Sequence, residues 1–180
     1  MEKRIKLLPY IAIDGIPTFP DSEIVDLYKR MAADGTAATV FSDGEITSGE
    51  DFLNAMKHRE NRLYVAFMDG EKSGVAWLNR FEARFARMHW CLFSNQWGKN
   101  SVEIGKEVIH TIINMKDGEG NYLYDMMLGI VPSNNKMAVR YCEKCGGVIQ
   151  GSLPYAALKD GKSISGVIVY YTREAENEIT

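Results

Sequence analysis

The stretch His89-Trp90-Cys91-Leu92-Phe93, the polar run Ser94-Asn95-Gln96-Trp97-Gly98-Lys99-Asn100-Ser101, and the series Val102, Gly105, Val108, Ile109, Ile112, Ile113 and Met115 decide how this chain is read. The first predicts a strand, the second a turn, and the third, at 3-4 spacing, a helix with one face on a sheet. The leading N–H groups of a helix lack internal partners and carry the positive end of its dipole, so a phosphate can dock at such a junction. Gly98 lets backbone approach a ligand closely, and Lys99 adds a formal charge. The same residues also read as an ordinary strand-to-helix loop capped by Asn100 or Ser101.

Upstream, residues 63–68 and 75–78 are apolar runs joined through Asp69-Gly70, a hairpin signal. Residues 79–84 connect to a third strand, 85–93, so three antiparallel strands deliver the chain to the turn. Arg80, Arg84 and Arg87 lie near that connection, where they either meet an acidic partner or are simply solvated. Further back come a strand at 4–8 and a loop at 10–20. A helix from Asp21 or Ser22 to Asp34-Gly35 follows, with Ile24, Leu27, Tyr28 and Met31 on its apolar face. Ala38-Thr39-Val40-Phe41 reads as a short strand. Thr47 and Glu50 have capping-box spacing ahead of a helix carrying Phe52, Leu53 and Met56.

Downstream, Asp117-Gly118-Glu119-Gly120 ends the long helix, and residues 122–131 form an apolar strand, expected to be buried on both faces, that stops at Pro132. A helix capped by Ser133, Asn134 or Asn135 runs to about Lys144, and the strands 148–153 and 165–172 come last, joined by a loop containing Asp160-Gly161. The order is strand, two helices, three antiparallel strands, helix, strand, helix, two strands. That is a layered α+β fold, with a mixed, mostly antiparallel sheet of about seven strands flanked by about four helices. Residues 1–172 are expected to form one domain, with an acidic tail, 173–180, that frays.

Composition narrows the function. With 180 residues, 46% of them hydrophobic, the chain can bury one sizeable core. A net charge of −3 gives no electrostatic case for nucleic acid. No apolar run approaches the roughly 20 residues that span a bilayer. Three cysteines are too few for a disulfide framework, so a cytoplasmic protein is expected. Cys142 and Cys145 form a C-x-x-C, but no second pair exists and His58, His89 and His110 are scattered, so no metal site is expected.

The element order resembles the GNAT superfamily of N-acetyltransferases over nearly the whole length, and two segments carry the resemblance. Trp97-Gly98-Lys99-Asn100-Ser101-Val102 lies where that family has its acyl-CoA motif, Q/R-x-x-G-x-G/A. Here Trp97 replaces the basic or amide residue, Asn100 the first small residue and Val102 the last. The segment 135–147 looks like the family's N-x-x-A-x-x-L-Y-x-x-x-G-F, with Asn135, Ala138 and Gly146 in register, Cys142 at the tyrosine, Tyr141 one residue earlier and Gly147 at the phenylalanine.

The resemblance implies an acetyl-CoA-dependent transferase acting on a small-molecule amine, a protein N-terminus or a lysine. Carried across, the amides of Gly98, Lys99, Asn100 and Ser101 would hold the coenzyme A pyrophosphate. Leu92 and Phe93 would face the pantetheine and supply an oxyanion donor, and Asn135 would help position CoA. Tyr141 or Cys142 stands where the general acid is expected, although Tyr141 also reads as a core residue. His89 is the strand group that titrates near neutrality and so the candidate base, with Glu82 and Asp125 as further candidates. The acceptor pocket is expected from the first two helices and the last strand pair, which can also pair across a homodimer. A GNAT-like CoA-binding or structural module without turnover is the alternative.

Overall fold

The computed structural model describes residues 4–98 and 100–174. Its main sheet has seven strands in the order β1-β4-β5-β6-β7-β9-β8. These are β1 (Ile5–Pro9), β4 (Arg62–Met68), β5 (Glu71–Glu82), β6 (Phe85–Leu92), β7 (Met126–Pro132), β8 (Val148–Lys159) and β9 (Lys162–Thr172). Every neighbouring pair is antiparallel except β6 with β7. That parallel step needs a crossover, which the helix α4 (Ser101–Ile113) supplies. The turn at Asp69-Gly70 has both residues at positive φ, 51° and 87°, the geometry that suits the strand twist of a two-residue hairpin.

Two apolar cores flank the sheet. On one face α1 (Asp21–Ala33), α2 (Ala37–Val40) and α3 (Gly49–Lys57) bury Ile24, Leu27, Met31, Phe41 and Phe52 against Val65, Val75, Trp77 and Phe93. On the other, α4 buries Ile104, Val108, Ile112 and Ile113 completely, and α5 (Lys136–Lys144) leads into the buried Cys145 beside it. Each such aliphatic side chain contributes about 1.5–3 kcal/mol when removed from water.

Several expectations are corrected. Residues 38–41 belong to a one-turn helix and its cap rather than a strand, because Phe41 stacks 5.6 Å from Trp77 and 5.9 Å from Tyr28. Tertiary packing there overrides β-propensity. The capping box is shifted by one residue. Ser48 Oγ accepts from the Asp51 N–H at 3.0 Å, and the Asp51 carboxylate accepts from Thr47 N–H at 3.1 Å and Thr47 Oγ1 at 2.9 Å. The loop at 10–20 contains a small hairpin, β2 (Ala12–Ile13) and β3 (Ile16–Pro17). The last two strands are longer than expected and meet at Asp160-Gly161, with register shifts near Gly151 and between Leu153 and Ala157.

β7 is not buried on both faces: Met127 is fully buried, and the rest of the strand is half-buried. Arg173, placed in the fraying tail, is anchored to Ile113 O at 3.0 Å and to Asp125 at 2.6 Å. Residues 175–180 lie outside the described part.

Candidate active site

The parallel pairing of β6 with β7 covers three residue pairs, Phe85 with Met126, Ala86 with Met127 and Arg87 with Leu128. Beyond them the strands part. β7 continues against β9 as far as Pro132, and β6 continues against β5 as far as Leu92. Peptide groups alternate sides along a strand, and the Phe93 N–H donates to Ser73 O of β5 at 2.8 Å. The main-chain groups of Trp90 and Leu92 therefore aim the other way, into the gap past the last ladder pair, where Leu92 O already accepts from Trp97 Nε1–H. Unpaired edge groups are costly when kept from water, so the inner edge of β6 suits a ligand that can itself donate and accept along its length.

A cleft of about 200 Å³ fills the gap, lined by Trp90, Gly105, Val131, Asn135, Tyr141 and Cys142 among others, and reaching Thr39, Val40 and His89 on the far face. It therefore passes from the α4/α5 side to the α1/α2 side. Gly105 is what lets α5 approach α4 here. A Cβ added to it would overlap Tyr141 Oη and lie 2.5 Å from Cys145 Sγ.

The polar turn is a 3-10 turn, Ser94–Gln96, tied to α1 by Ser94, whose N–H and Oγ both donate to the Asp34 carboxylate at 2.8 and 2.5 Å. Gly98 takes φ 86° with open space where a Cβ would be, which keeps its backbone approachable. Asn100 does not cap α4. Its amide donates to Gln96 Oε1 at 3.1 Å, and Ser101 Oγ donates to Gly98 O at 2.8 Å. Lys99 lies outside the described residues. Glu103 in the first turn of α4 already places a carboxylate at this end, held by Arg4 at 3.3 Å. Trp97 does not plug the turn: it is 53% exposed, and its Nε1–H donates to Leu92 O at 3.0 Å.

The remaining sequence-selected residues separate into two groups. Leu92, Asn135, Tyr141 and Cys142 border the gap or its cleft. Phe93 does not. Its side chain is fully buried on the α1–α3 face under the Arg30 guanidinium, 4.4 Å from the ring centroid, and its N–H is bound to Ser73. The parity of strand pairing therefore removes it from the gap side and leaves Trp90 and Leu92 as the main-chain donors there. Asn135 Oδ1 caps α5 by accepting from the Ala138 N–H at 3.1 Å.

The acid and base assignments also change. His89 borders the cleft, but burial first, and then Arg87 and Arg80, push its pKa down to about 3. Its ring stacks on Trp77 at 4.8 Å, and Nε2 meets Asn79 Oδ1 at 3.1 Å. It is a neutral, packed imidazole and a weak base. Asp125 is held ionised by Arg84 and Arg173, and Glu82 is exposed at the far end of β5. Tyr141 donates from Oη to Ser101 O at 2.8 Å and accepts from Trp90 Nε1–H at 3.3 Å, and burial raises its pKa. That makes it a strut joining α5, α4 and β6. Cys142 faces the cleft beside Tyr171, its thiol likewise pushed up by burial. Gly105, Trp90 and the Thr39–Val40 wall line the cleft and were not picked out from the sequence. A lone glycine on the apolar face of α4 was the one local sign of a close approach.

No family model matches the chain, and no curated protein sequence does. Solved structures do. An acetyltransferase from Salmonella typhimurium that modifies the N-terminal serine of ribosomal protein L7/L12 superposes with a TM-score of 0.72 at 13% identity, over 95% of this chain and 96% of that one. The spermidine N-acetyltransferase of Vibrio cholerae, solved with CoA and spermine, gives 0.67 at 16% identity, over 97% and 98%. AAC(6')-Ib, solved with paromomycin and acetyl-CoA, gives 0.70 at 15% identity, over 97% of each chain. At these identities the likeness establishes architecture, and the chain has the GNAT N-acetyltransferase fold.

Proposed function

We propose that the protein transfers an acetyl group from acetyl-CoA directly to an amine. The observation that carries this reading is the three-pair ladder between β6 and β7, which opens a cleft through the sheet beside the start of α4. A pantetheine arm has two amides and a narrow apolar section, which match the alternating donors and acceptors of β6 and the apolar walls of α4 and α5. The main-chain groups of Trp90 and the N–H of Leu92 would hold the arm. The turn at Gly98 and Asn100, where the Asn100 side chain makes no cap to α4, would face the pyrophosphate. The three superposed proteins act on, or were solved with, amines, which supports an amine as acceptor.

In this reading the amine nitrogen enters from the α1/α2 side and bonds to the acyl carbon. The carbon–sulfur bond breaks, and a proton passes from nitrogen to sulfur. The N–H of Trp90 or Leu92 stabilises the charge on the carbonyl oxygen. His89, neutral across the working range, shapes the wall and leaves the attacking amine to arrive unprotonated or to lose its proton to water. Cys142, a thiol lining the cleft, would return a proton to the leaving sulfur, because Tyr141 spends its own on Ser101.

The absence of a near-neutral base at His89 also favours a second reading, a CoA-binding module without turnover. Two measurements separate them. CoA at a hundred times its dissociation constant adds about 2.7 kcal/mol to the folded state, read as a rise in melting temperature. Acetyl-CoA with a panel of amines reports turnover by thiol release. No melting shift overturns both readings, and a shift without thiol release leaves the module.

A further inference from the structure

Resting on the transferase reading, we infer that the acceptor is an amine that also carries an anionic group, a carboxylate or phosphate, received by Arg87 with help from Arg80. The side chain of Arg87 lies on the same face of β6 as His89, two residues along the strand, and so on the α1/α2 side where the cleft emerges. Its Nε is buried with no hydrogen-bond partner among the described residues. Three other arginines contrast with it. Arg84 is held by Asp125 at 2.6 Å, Arg62 donates to Tyr124 Oη at 2.6 Å, and Arg4 meets Asp69 at 3.0 Å.

The charges around Arg87 do not supply its missing partner. Burial and the nearby Arg80 both disfavour its charge, and Asp43, on an exposed loop after α2, is the acid that favours it. Asp43 makes no salt bridge to it within 4.0 Å among the described residues. His89, a further titratable group on this wall, is kept neutral by burial and by the same two arginines, which disfavour its protonated form. Arg80 itself is exposed, at positive φ of 50°, where the β5–β6 register shifts between Asn79 and Glu82. Arginine stays charged even when partly buried and presents its donors in a planar fork, a match for carboxylate or phosphate. Around Arg87 itself, Arg80 adds a second positive charge and Asp43 is the one carboxylate that bears on it, which favours an anionic acceptor and disfavours a polyamine.

The test uses the full chain, acetyl-CoA and thiol release. Its amines are glutamate and an acidic peptide N-terminus as carboxylates, phosphoethanolamine as a phosphate, and spermidine and an aminoglycoside as cations. At least a tenfold preference in kcat/KM for the anionic amines over spermidine is expected. Arg87→Gln should raise KM for the best anionic amine about tenfold or more and bring the preference towards one, Arg87→Lys should recover part of it, and Arg80→Gln should fall between. The CoA-dependent melting shift, measured on each variant, shows that it is folded and that its cofactor side is intact. Turnover with a preference for cations or for neutral amines overturns the acceptor inference and leaves the transferase reading standing, as does a KM that Arg87→Gln does not move. Thiol release from none of the amines, or no melting shift with CoA, overturns both. The carboxylate and phosphate arms distinguish the two anions.

Discussion

The two halves of the sheet, on either side of the β6–β7 gap, are built differently. In β4 and β5 most residues are buried, with Leu63, Val65, Val75 and Leu78 at 1% exposure or less, because helices lie on both faces. In β7 and β9 the residues facing the α1–α3 side, Leu128, Ile130, Ile168 and Tyr170, are half-buried, and β8 is largely exposed. The three-pair ladder joins a fully packed half to one packed on a single face. The difference teaches where opening costs least. A sheet parts where one side has few cross-face contacts to lose, and that is where the cleft lies.

The largest expected effect breaks the packed half. Phe52→Ala, which removes a ring that meets Trp77, Phe41 and Tyr28, is expected to cost about 3–5 kcal/mol in urea denaturation. Leu128→Ala in the other half should cost about 1 kcal/mol, near the centre of ordinary mutational losses. Equal losses would mean that the two halves are packed alike after all.

Next comes the seam. Gly105→Ala is expected to cost about 1–3 kcal/mol, because the added methyl must displace Tyr141 or Cys145. The displaced group has the cleft to move into, so the CoA-dependent melting shift should disappear as well. A variant that kept the full shift would place the binding site elsewhere.

The packed half also predicts a pH dependence. His89 has a folded-state pKa of about 3, below its ordinary value of 6.5. Between those values the unfolded chain binds a proton that the folded one does not, so stability rises with pH across the window and is lost as pH falls through it. The slope from this one group is at most about 1.4 kcal/mol per pH unit. Denaturation midpoints from pH 4 to 7 should show it, and His89→Phe should flatten it. A slope unchanged in that variant assigns it to other groups.

The smallest effect concerns the strut across the seam. Tyr141→Phe removes the hydrogen bonds to Ser101 and Trp90 and should cost about 1 kcal/mol, leaving the turnover rate within a factor of about two. A drop in turnover of roughly a hundredfold or more, the loss expected when a general acid is removed, would instead make the hydroxyl a proton donor.

Legibility followed the range of the forces involved. The hairpin at Asp69-Gly70, the apolar face of α4 and a cap among residues 133–135 were readable because neighbours within four residues determine them. The element order was enough to reach the fold. At the site, Leu92, Asn135, Tyr141 and Cys142 border one gap, while Phe93 does not. Whether the Phe93 N–H faces β5 or β7 depends on pairing parity, which a lone strand does not carry. His89 looked like a base because its reference pKa is near neutral, and only the stacked Trp77 and the two arginines beside it remove that role. Arg87 looked solvated for the converse reason.

By itself, then, the sequence determined most of the strands and helices, their order, and the glycine and asparagine positions at which the backbone turns, all of it chemistry within a few residues. Tertiary structure decided the rest. It determined where β6 and β7 part, which peptide groups face the gap, that Tyr141 is tied down, and that the Arg87 Nε is buried with no hydrogen-bond partner among the described residues. Those outcomes depend on distances between segments far apart in the chain and on the dielectric that their packing creates, and no local pattern encodes either.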